Sequence, residues 1–150
     1  MFLKNDRVLT AMSIMLDVAF HAGRSGVVSG ADIARRNGLL RRGIEPVFQL
    51  LSRARLLESV RGPKGGYRLG RSARVITLRD IAQTVCASES GFLDRSGDNP
   101  LFTDVLAPLW EEINDKVNKE LAHLTLEDLV KRASRAGLKP LHQTPITFSI

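Results

Sequence analysis

The chain has 150 residues, of which 43% are hydrophobic and 25% are charged, and its net charge is +6. This length and hydrophobic content suit one domain, or one small domain with an added helix, and argue against wholesale disorder. The sequence contains neither an apolar run of about 20 residues, as a membrane span requires, nor a signal-peptide pattern. Its single cysteine, Cys86, excludes an intramolecular disulfide. We therefore expect a cytoplasmic protein that does not bind membranes.

The positive charge is concentrated in one part of the chain. From Arg35 to Arg79, twelve basic residues accompany only Glu45 and Glu58, a balance of +10. The preceding segment has three basic and three acidic residues, whereas residues 80–150 have seven basic and eleven acidic ones, a balance of −4. This distribution indicates an anionic partner for the basic segment, with nucleic acid as the leading candidate. A generic solvated surface is the alternative.

Two helices are predicted at the start of the chain. The first covers about residues 5–22, with an inward face at helical spacing formed by Val8, Met12, Met15, Leu16, Ala19 and Phe20. Ser29 is the predicted N-cap of a short second helix that runs through Arg36, with Asp32 as its capping-box partner. Asn37-Gly38 then ends this helix.

A third helix is expected within a few residues of this turn. We place Pro46 in its first turn, where a missing N–H costs little. Its inward face consists of Ile44, Val47, Phe48, Leu51 and Ala54.

A hairpin follows the third helix. Leu57–Val60 and Tyr67–Leu69 flank a loop of Gly62, Pro63, Lys64, Gly65 and Gly66, in which glycine and proline favour a chain reversal. The hairpin carries the basic residues Arg61, Lys64 and Arg68. Three helices followed by a hairpin wing is the order of a winged helix-turn-helix, in which the third helix enters the major groove. The predicted fold class is therefore mainly α, with a small β-wing and a long C-terminal dimerisation helix.

The predicted DNA-contacting residues lie on the second helix, the third helix and the wing: Ser29, Arg41, Arg42, Glu45, Gln49, Arg53, Arg61, Lys64, Gly65, Gly66 and Tyr67. Arg41 and Arg42 can hold a phosphate or read guanine, and Arg61 can enter the minor groove. Glu45 can accept a hydrogen bond from cytosine N4, pair with Arg41 or Arg42, or simply favour the helix dipole. Ser29 is either a helix cap alone or also a phosphate contact.

The second half of the chain is predicted to carry three more helices. Thr77 and Asp80 cap the first of these, and residues 88–100 read as a flexible linker. A helix of about six turns follows from Leu101, and Pro108 predicts a kink or a late start there. Its apolar stripe is the predicted homodimer interface, formed by Val105, Leu109, Trp110, Ile113, Val117 and Leu121. Packing of this stripe against the first helix is an alternative that does not exclude dimerisation.

A last short helix is predicted to begin at a cap formed by Thr125 and Asp128 and to end before Gly137. The expected organisation is a DNA-binding domain over residues 1–87, the linker over 88–100, the dimerisation and last helices over 101–137, and an extended tail over 138–150.

Three stretches resemble the Rrf2 family of bacterial transcriptional regulators. They are IEPVF at Ile44–Phe48, SVRGPKGGYRL at Ser59–Leu69 and ITLRDI at Ile76–Ile81, in the family's order and spacing. Leu109-Trp110 and the TLEDLV run at Thr125–Val130 fit as well. The resemblance implies a homodimeric winged helix on a near-palindromic operator, with Glu45 reading a base and Arg61 at the minor groove.

The resemblance also suggests a cofactor that this sequence does not support. Many family members hold an iron–sulfur cluster through three cysteines, whereas this chain has none after Cys86. The corresponding positions fall near Asp98, at Asp104 and, for a histidine ligand, at Ala107. Since a cluster needs thiolates, we expect a cluster-less member with no cofactor and no metal.

The remaining alternatives concern signal and function class. Cys86 is either an inert apolar residue or a redox-sensing thiol. Trp110 is an interface or core residue, or part of a pocket for an unknown small-molecule effector. No set of side chains suggests an enzyme. A winged-helix module that binds protein or RNA is the alternative function. The sequence does not distinguish repression from activation.

Overall fold

The computed structural model describes residues 6–23, 26–86 and 99–141. Its helices are α1 (Asp6–Ala22), α2 (Gly30–Arg36), α3 (Arg41–Arg53), α4 (Leu78–Cys86), α5 (Ala107–Ala122) and α6 (Leu126–Arg135), and its strands are β1 (Leu57–Val60) and β2 (Gly66–Leu69). The mainly helical fold class with a small wing is thereby confirmed. The predicted linker, apart from residues 99–100, and the predicted tail after residue 141 lie outside the described residues.

Helix α1 lies at the centre of the core. Helices α2, α3, α4 and α6 and strand β2 all pack against it. Ala11, Ile14 and Val18 are fully buried, whereas Met12 and Leu16, which we placed on the inward face, are only half-buried. The predicted stripe was too narrow because a helix with neighbours on several sides buries more than one face.

Helix α3 begins earlier than its proline suggested. Leu40 is its N-cap and Arg41 its first residue, so Pro46 lies inside the helix and not in its first turn. A proline there leaves the Arg42 carbonyl without its helical N–H partner. Pro46 is exposed, so water can serve that carbonyl instead. The inward face of α3 is as predicted, with Ile44, Val47, Phe48 and Leu51 buried and Ala54 half-buried.

The hairpin strands pair antiparallel, with Leu57 opposite Leu69 and Val60 opposite Gly66. Val28, just before α2, adds a one-residue third strand, because it exchanges two backbone hydrogen bonds with Tyr67. The wing is thus attached to the segment that joins the first two helices.

Helix α6 is joined to the start of α4 by backbone hydrogen bonds. The Leu78 N–H donates to the Leu124 carbonyl at 2.8 Å, and the Leu126 N–H donates to the Ile76 carbonyl at 3.0 Å. Each helix also begins with a capping box, formed by Thr77 and Asp80 in one case and by Thr125 and Asp128 in the other. Leu126 is fully buried, so α6 belongs to the same core as α1.

Helix α5 starts late, at Ala107, which is one of the two outcomes predicted from Pro108. A π-helical turn, Leu101–Leu106, precedes it. None of the described helices is long and apolar enough to cross a membrane.

The capping box of α6 predicts a pH-dependent contribution to stability. The Asp128 carboxylate accepts the Thr125 N–H at 3.0 Å, which holds the pKa of Asp128 below its ordinary value. Its stabilising effect is therefore present above the unfolded-state pKa of about 3.9 and is lost as the pH falls through the lower folded pKa. Urea unfolding of the native chain and Asp128→Asn should differ near neutral pH and converge in acid. Thr125→Ala should cost about 1 kcal/mol near neutral pH, and part of this cost should remain in acid, because the Thr125 hydroxyl also accepts the Asp128 N–H. An Asp128→Asn deficit that persists in acid would contradict this role.

Candidate nucleic-acid interface

Tyr67 holds the wing, α2 and α3 together. Its ring stacks on Phe48 of α3, with centroids 4.4 Å apart and planes at 8°. Its N–H donates to the Val28 carbonyl at 2.7 Å, and its carbonyl accepts the Val28 N–H at 2.9 Å. A Cβ on Gly30, the first residue of α2, would lie 3.3 Å from the Tyr67 ring. One side chain and one backbone bridge therefore connect the wing to α2 and α3.

Nearby charges on α3 act on the Tyr67 hydroxyl. Burial raises the pKa of Tyr67; the Glu45 carboxylate raises it further, while the Arg41 guanidinium lowers it. The hydroxyl thus lies within electrostatic reach of Glu45 and Arg41, both in the first half of α3. Three of the predicted DNA-contacting residues are brought together at this point.

The outward face of α3 is basic and accessible. Arg41, Arg42, Gln49 and Arg53 are exposed, and Glu45 is half-exposed. Among the ion pairs of the described residues, none joins Glu45 to an arginine. The predicted alternative in which Glu45 pairs with Arg41 or Arg42 is therefore not seen, and the Glu45 carboxylate is available to a ligand.

Ser29 is the N-cap of α2. Its Oγ accepts the Asp32 N–H at 3.1 Å, as the sequence predicted. The Asp32 carboxylate, expected to complete a capping box, pairs instead with Arg35 at 2.9 Å. The Ser29 hydroxyl hydrogen remains available to donate to a phosphate oxygen.

The wing tip is shaped by its glycines in two different ways. Gly62 has φ +118°, a conformation that favours glycine. At Gly65 and Gly66 the constraint is close approach, because a Cβ would lie 2.3 Å from the carbonyl oxygen of Val60 or Val28, respectively. Arg61 and Lys64 are exposed at this tip.

The third basic residue of the hairpin does not point to the same side. Arg68 lies opposite Glu58 and binds it through two hydrogen bonds, of 2.9 and 3.2 Å. This bond lowers the pKa of Glu58 and raises that of Arg68. Because neighbouring residues of a strand face opposite sides, Arg68 lies on the face away from the Tyr67 ring.

Two residues at the ends of α3 were missed by the sequence reasoning. Leu40, the N-cap, is 83% exposed, which is unusual for a large apolar side chain next to a basic surface. Arg55, just after α3, has φ +61°, a left-handed conformation that helix ends adopt and that favours glycine. The sequence signal for Leu40 was that an apolar residue falls outside the inward face of α3. We find no sequence signal for the backbone conformation of Arg55.

The predicted dimerisation stripe divides into two parts. Val105, Leu109 and Ile113 are 62%, 50% and 40% exposed. Trp110, Val117 and Leu121 are half-buried, and Leu121 packs on the core. Val105, Leu109 and Ile113 are therefore open to a partner, whereas Leu121 at the end of the stripe is used within the chain.

The described residues show no group of three or more His, Cys, Asp or Glu side chains that could hold a metal ion. Cys86 is half-buried at the last residue of α4, Asp104 is exposed in the π-helical turn, and Ala107 begins α5. With one cysteine in the whole sequence, the chain cannot supply three thiolates to an iron–sulfur cluster.

Residues 5–132 match the sequence model of the Rrf2 family, described as an iron-dependent transcriptional regulator. The chain belongs to the Rrf2 family. Its relatives include a putative HTH-type transcriptional regulator, ORF2, of Azotobacter vinelandii, 36% identical over 82% of this chain and 76% of the relative. The HTH-type transcriptional regulator IscR of Xenorhabdus nematophila is 35% identical over 81% of this chain and 74% of the relative.

Solved structures agree with this assignment. The IscR of T. potens superimposes with a TM-score of 0.72 at 30% identity, covering 92% of this chain and 93% of that one. CymR of B. subtilis, named as its global cysteine regulator, gives a TM-score of 0.67 at 30% identity, covering 85% of this chain and 95% of the other. The predicted family is confirmed, and this Rrf2 protein is a transcriptional regulator and not an enzyme. Although the family is described as iron-dependent, the cysteine content of this member does not fit a cluster of the three-thiolate kind.

The close approach at Gly66 predicts that alanine there loosens the wing. Gly66→Ala places a methyl group against the Val28 carbonyl and should destabilise the domain by about 1–3 kcal/mol in urea unfolding. Gly43→Ala is the matched control, because nothing lies within 4 Å of its Cβ on α3. It should stabilise the domain by about 0.5 kcal/mol through helix propensity. Equal stability of Gly66→Ala and the native chain would show that the Val28–Tyr67 bridge accommodates the methyl group without loss of unfolding free energy.

Proposed function

We propose that this Rrf2 regulator binds double-stranded DNA as a homodimer at a near-palindromic operator in the cytoplasm. In each subunit α3 enters the major groove and the wing tip lies at the adjacent minor groove. The observation that carries this proposal is the Tyr67 junction, that is, the stack of Tyr67 on Phe48 together with its backbone bridge to Val28. It connects the basic face of α3 to a wing whose tip has two exposed cations.

Most of the proposed contacts position the protein on the phosphate backbone. Arg53 and Gln49 lie along the exposed face of α3, and Ser29 lies at the start of α2. Lys64 and the backbone at Gly65 belong to the wing. Such contacts supply affinity and register but carry no sequence information.

Sequence reading is assigned to the first half of α3. Arg41 and Arg42 can each donate two hydrogen bonds to guanine O6 and N7, and Glu45 can accept one from cytosine N4. A carboxylate that faces DNA without an arginine partner repels phosphate, so its value lies in discrimination between bases. The exposed Leu40 at the helix start can contact a thymine methyl group.

The homodimer is supported by the open part of the apolar stripe on α5. Val105, Leu109 and Ile113 expose large apolar surface beside a well-packed core, and burial of such surface drives association. A two-fold axis through these helices would present two copies of α3 to two half-sites.

Regulation is proposed to proceed without an iron–sulfur cluster, because three thiolates are lacking. A redox response through Cys86 would leave two products, a disulfide between subunits or a capped thiol. We favour the inert reading, since a half-buried cysteine at a helix end behaves as a small apolar residue.

The direct test is selection of genomic fragments from the source organism by the purified protein at near-physiological salt. Enrichment of an inverted repeat is the expected result. Retention without sequence preference would reject operator recognition, and no DNA retention would favour the protein-binding or RNA-binding module.

The Glu45 assignment predicts a change in specificity with little loss of affinity. On the selected operator, Glu45→Ala should relax the preference at one position by about 1–3 kcal/mol. Affinity for unrelated DNA should stay equal or rise, since a negative charge is removed. Competition binding against operators substituted at each position measures both. Arg61→Ala is the contrasting variant. It should lower the affinity for all DNA sequences and reduce the slope of log affinity against log salt concentration by about one. An unchanged base preference in Glu45→Ala would refute the reading role.

The open stripe predicts that one charge separates the subunits. Leu109→Lys should raise the Kd of the dimer by about a hundredfold, because an unpaired charge would be buried. Sedimentation equilibrium measures the change, and an unaltered helical circular dichroism spectrum shows that the fold survives. Glu111→Lys introduces the same side chain at an exposed position outside the stripe and should leave the dimer intact. A Leu109→Lys protein that remains dimeric would place the interface elsewhere.

A further inference from the structure

An open cleft of about 680 Å³ lies beside the end of β2. It is bounded by β2, by the loop that follows β2, by the end of α1 and by α6. Its apolar walls include Ala19, Leu69, Ala73 and Val130. This volume is within the range of about 300–1,000 Å³ that is usual for sites of small molecules.

Three arginines line the same cleft. Arg68, Arg71 and Arg74 contribute three positive charges, against one acidic lining residue, Glu127. A cleft with an apolar wall and guanidinium groups at its edge is complementary to an organic anion, because a guanidinium binds carboxylate and phosphate through two parallel hydrogen bonds.

Each arginine is also bonded to a different part of the molecule. Arg68 binds Glu58 within the wing. Arg71 donates to the Ala54 carbonyl, just past the end of α3, at 3.2 Å. Arg74 binds Glu127 of α6 at 3.3 Å. A guanidinium has five N–H donors, and these bonds use one or two of them, so each arginine keeps donors for a ligand.

We propose that this cleft binds a small organic anion, held by Arg71 and Arg74 through a carboxylate or phosphate group and by Leu69 and Val130 through an apolar body. Binding lowers the affinity for DNA. The second part rests on the proposed function, whereas the first does not.

The expected direction follows from where the arginines are anchored. An anion on Arg71 binds the side chain that also holds the Ala54 carbonyl just past α3, and it places negative charge in the module that must approach phosphate. Because Arg68 and Arg74 connect the same cleft to the wing and to α6, the ligand acts on three elements that must keep their mutual orientation on DNA.

Two aryl anions and one neutral analogue test the site directly. Benzoate and phenyl phosphate should shift the methyl NMR resonances of Leu69 and Val130, and benzyl alcohol at the same concentration should not. The stronger of the two anions identifies the carboxylate or the phosphate class. Equal binding of benzyl alcohol would overturn the anion site.

Matched arginine variants separate the cleft from general surface charge. Arg71→Gln and Arg74→Gln should each weaken the stronger anion about tenfold, as loss of a charged hydrogen bond predicts. Arg79→Gln removes the same charge from an exposed position of α4 outside the cleft and should leave binding unchanged. Equal weakening by Arg79→Gln would refute the assignment.

The regulatory part is tested on the selected operator at constant ionic strength. A saturating anion concentration should lower the affinity for the operator about fivefold or more. Saturating operator should lower the affinity for the anion by the same factor. Unchanged operator affinity would overturn the coupling. If the protein binds the anion but selects no operator, the proposed function is rejected and the anion site is retained. If it selects an operator but binds no anion, the anion site is rejected and the proposed function is retained.

Discussion

The contact between Val28 and Tyr67 is the interaction on which the proposed interface depends. A two-stranded hairpin is marginal in water by itself, and this one is supported by two backbone hydrogen bonds to Val28, by the stack of Tyr67 on Phe48 and by its apolar residues in the core. Each bond contributes about 0.5–1.5 kcal/mol and the stack a similar amount. Glycine at position 66 is the condition for this contact, because the Val28 carbonyl occupies the place of a Cβ. These contacts connect the wing to α3 and to the segment before α2.

The second constraint is the shared core. Helix α1 is surrounded, and the end of α6 that carries Leu126 is buried against it. The starts of α4 and α6 are joined by backbone hydrogen bonds, and Arg74 in the loop after β2 binds Glu127 of α6. Among the described helices, the first part of α5 lies outside this core. An apolar surface left open beside a complete core is what a subunit interface needs.

Local signals in the sequence predicted the elements, the N-caps of α2, α4 and α6, and the α3 core, and the wing motif identified the family. Three features were not predictable, since each depends on contacts between distant residues. The register that pairs Glu58 with Arg68 is a property of the folded hairpin. Pro46 suggested a later helix start, but α3 begins at Arg41. A proline inside the helix is tolerated here because its position is exposed to solvent, and that exposure is a property of the fold. The need for glycine at position 66 comes from Val28, far away in the chain.

The charge of the basic segment needs a spatial reading as well. Of its twelve basic residues, Arg35, Arg36, Arg68 and Arg74 form ion pairs with acidic side chains. Arg36 binds Asp17 of α1 through two hydrogen bonds, so it fastens α2 to the core and adds nothing to a DNA surface. Because strand residues alternate in direction, Arg68 lies on the other side of the wing, with Arg71 and Arg74 beside it. The local surplus of +10 therefore overstates the DNA footprint. Part of it lines a cleft suited to a different anion, and such a cleft gives a member without cluster ligands a place to receive a signal.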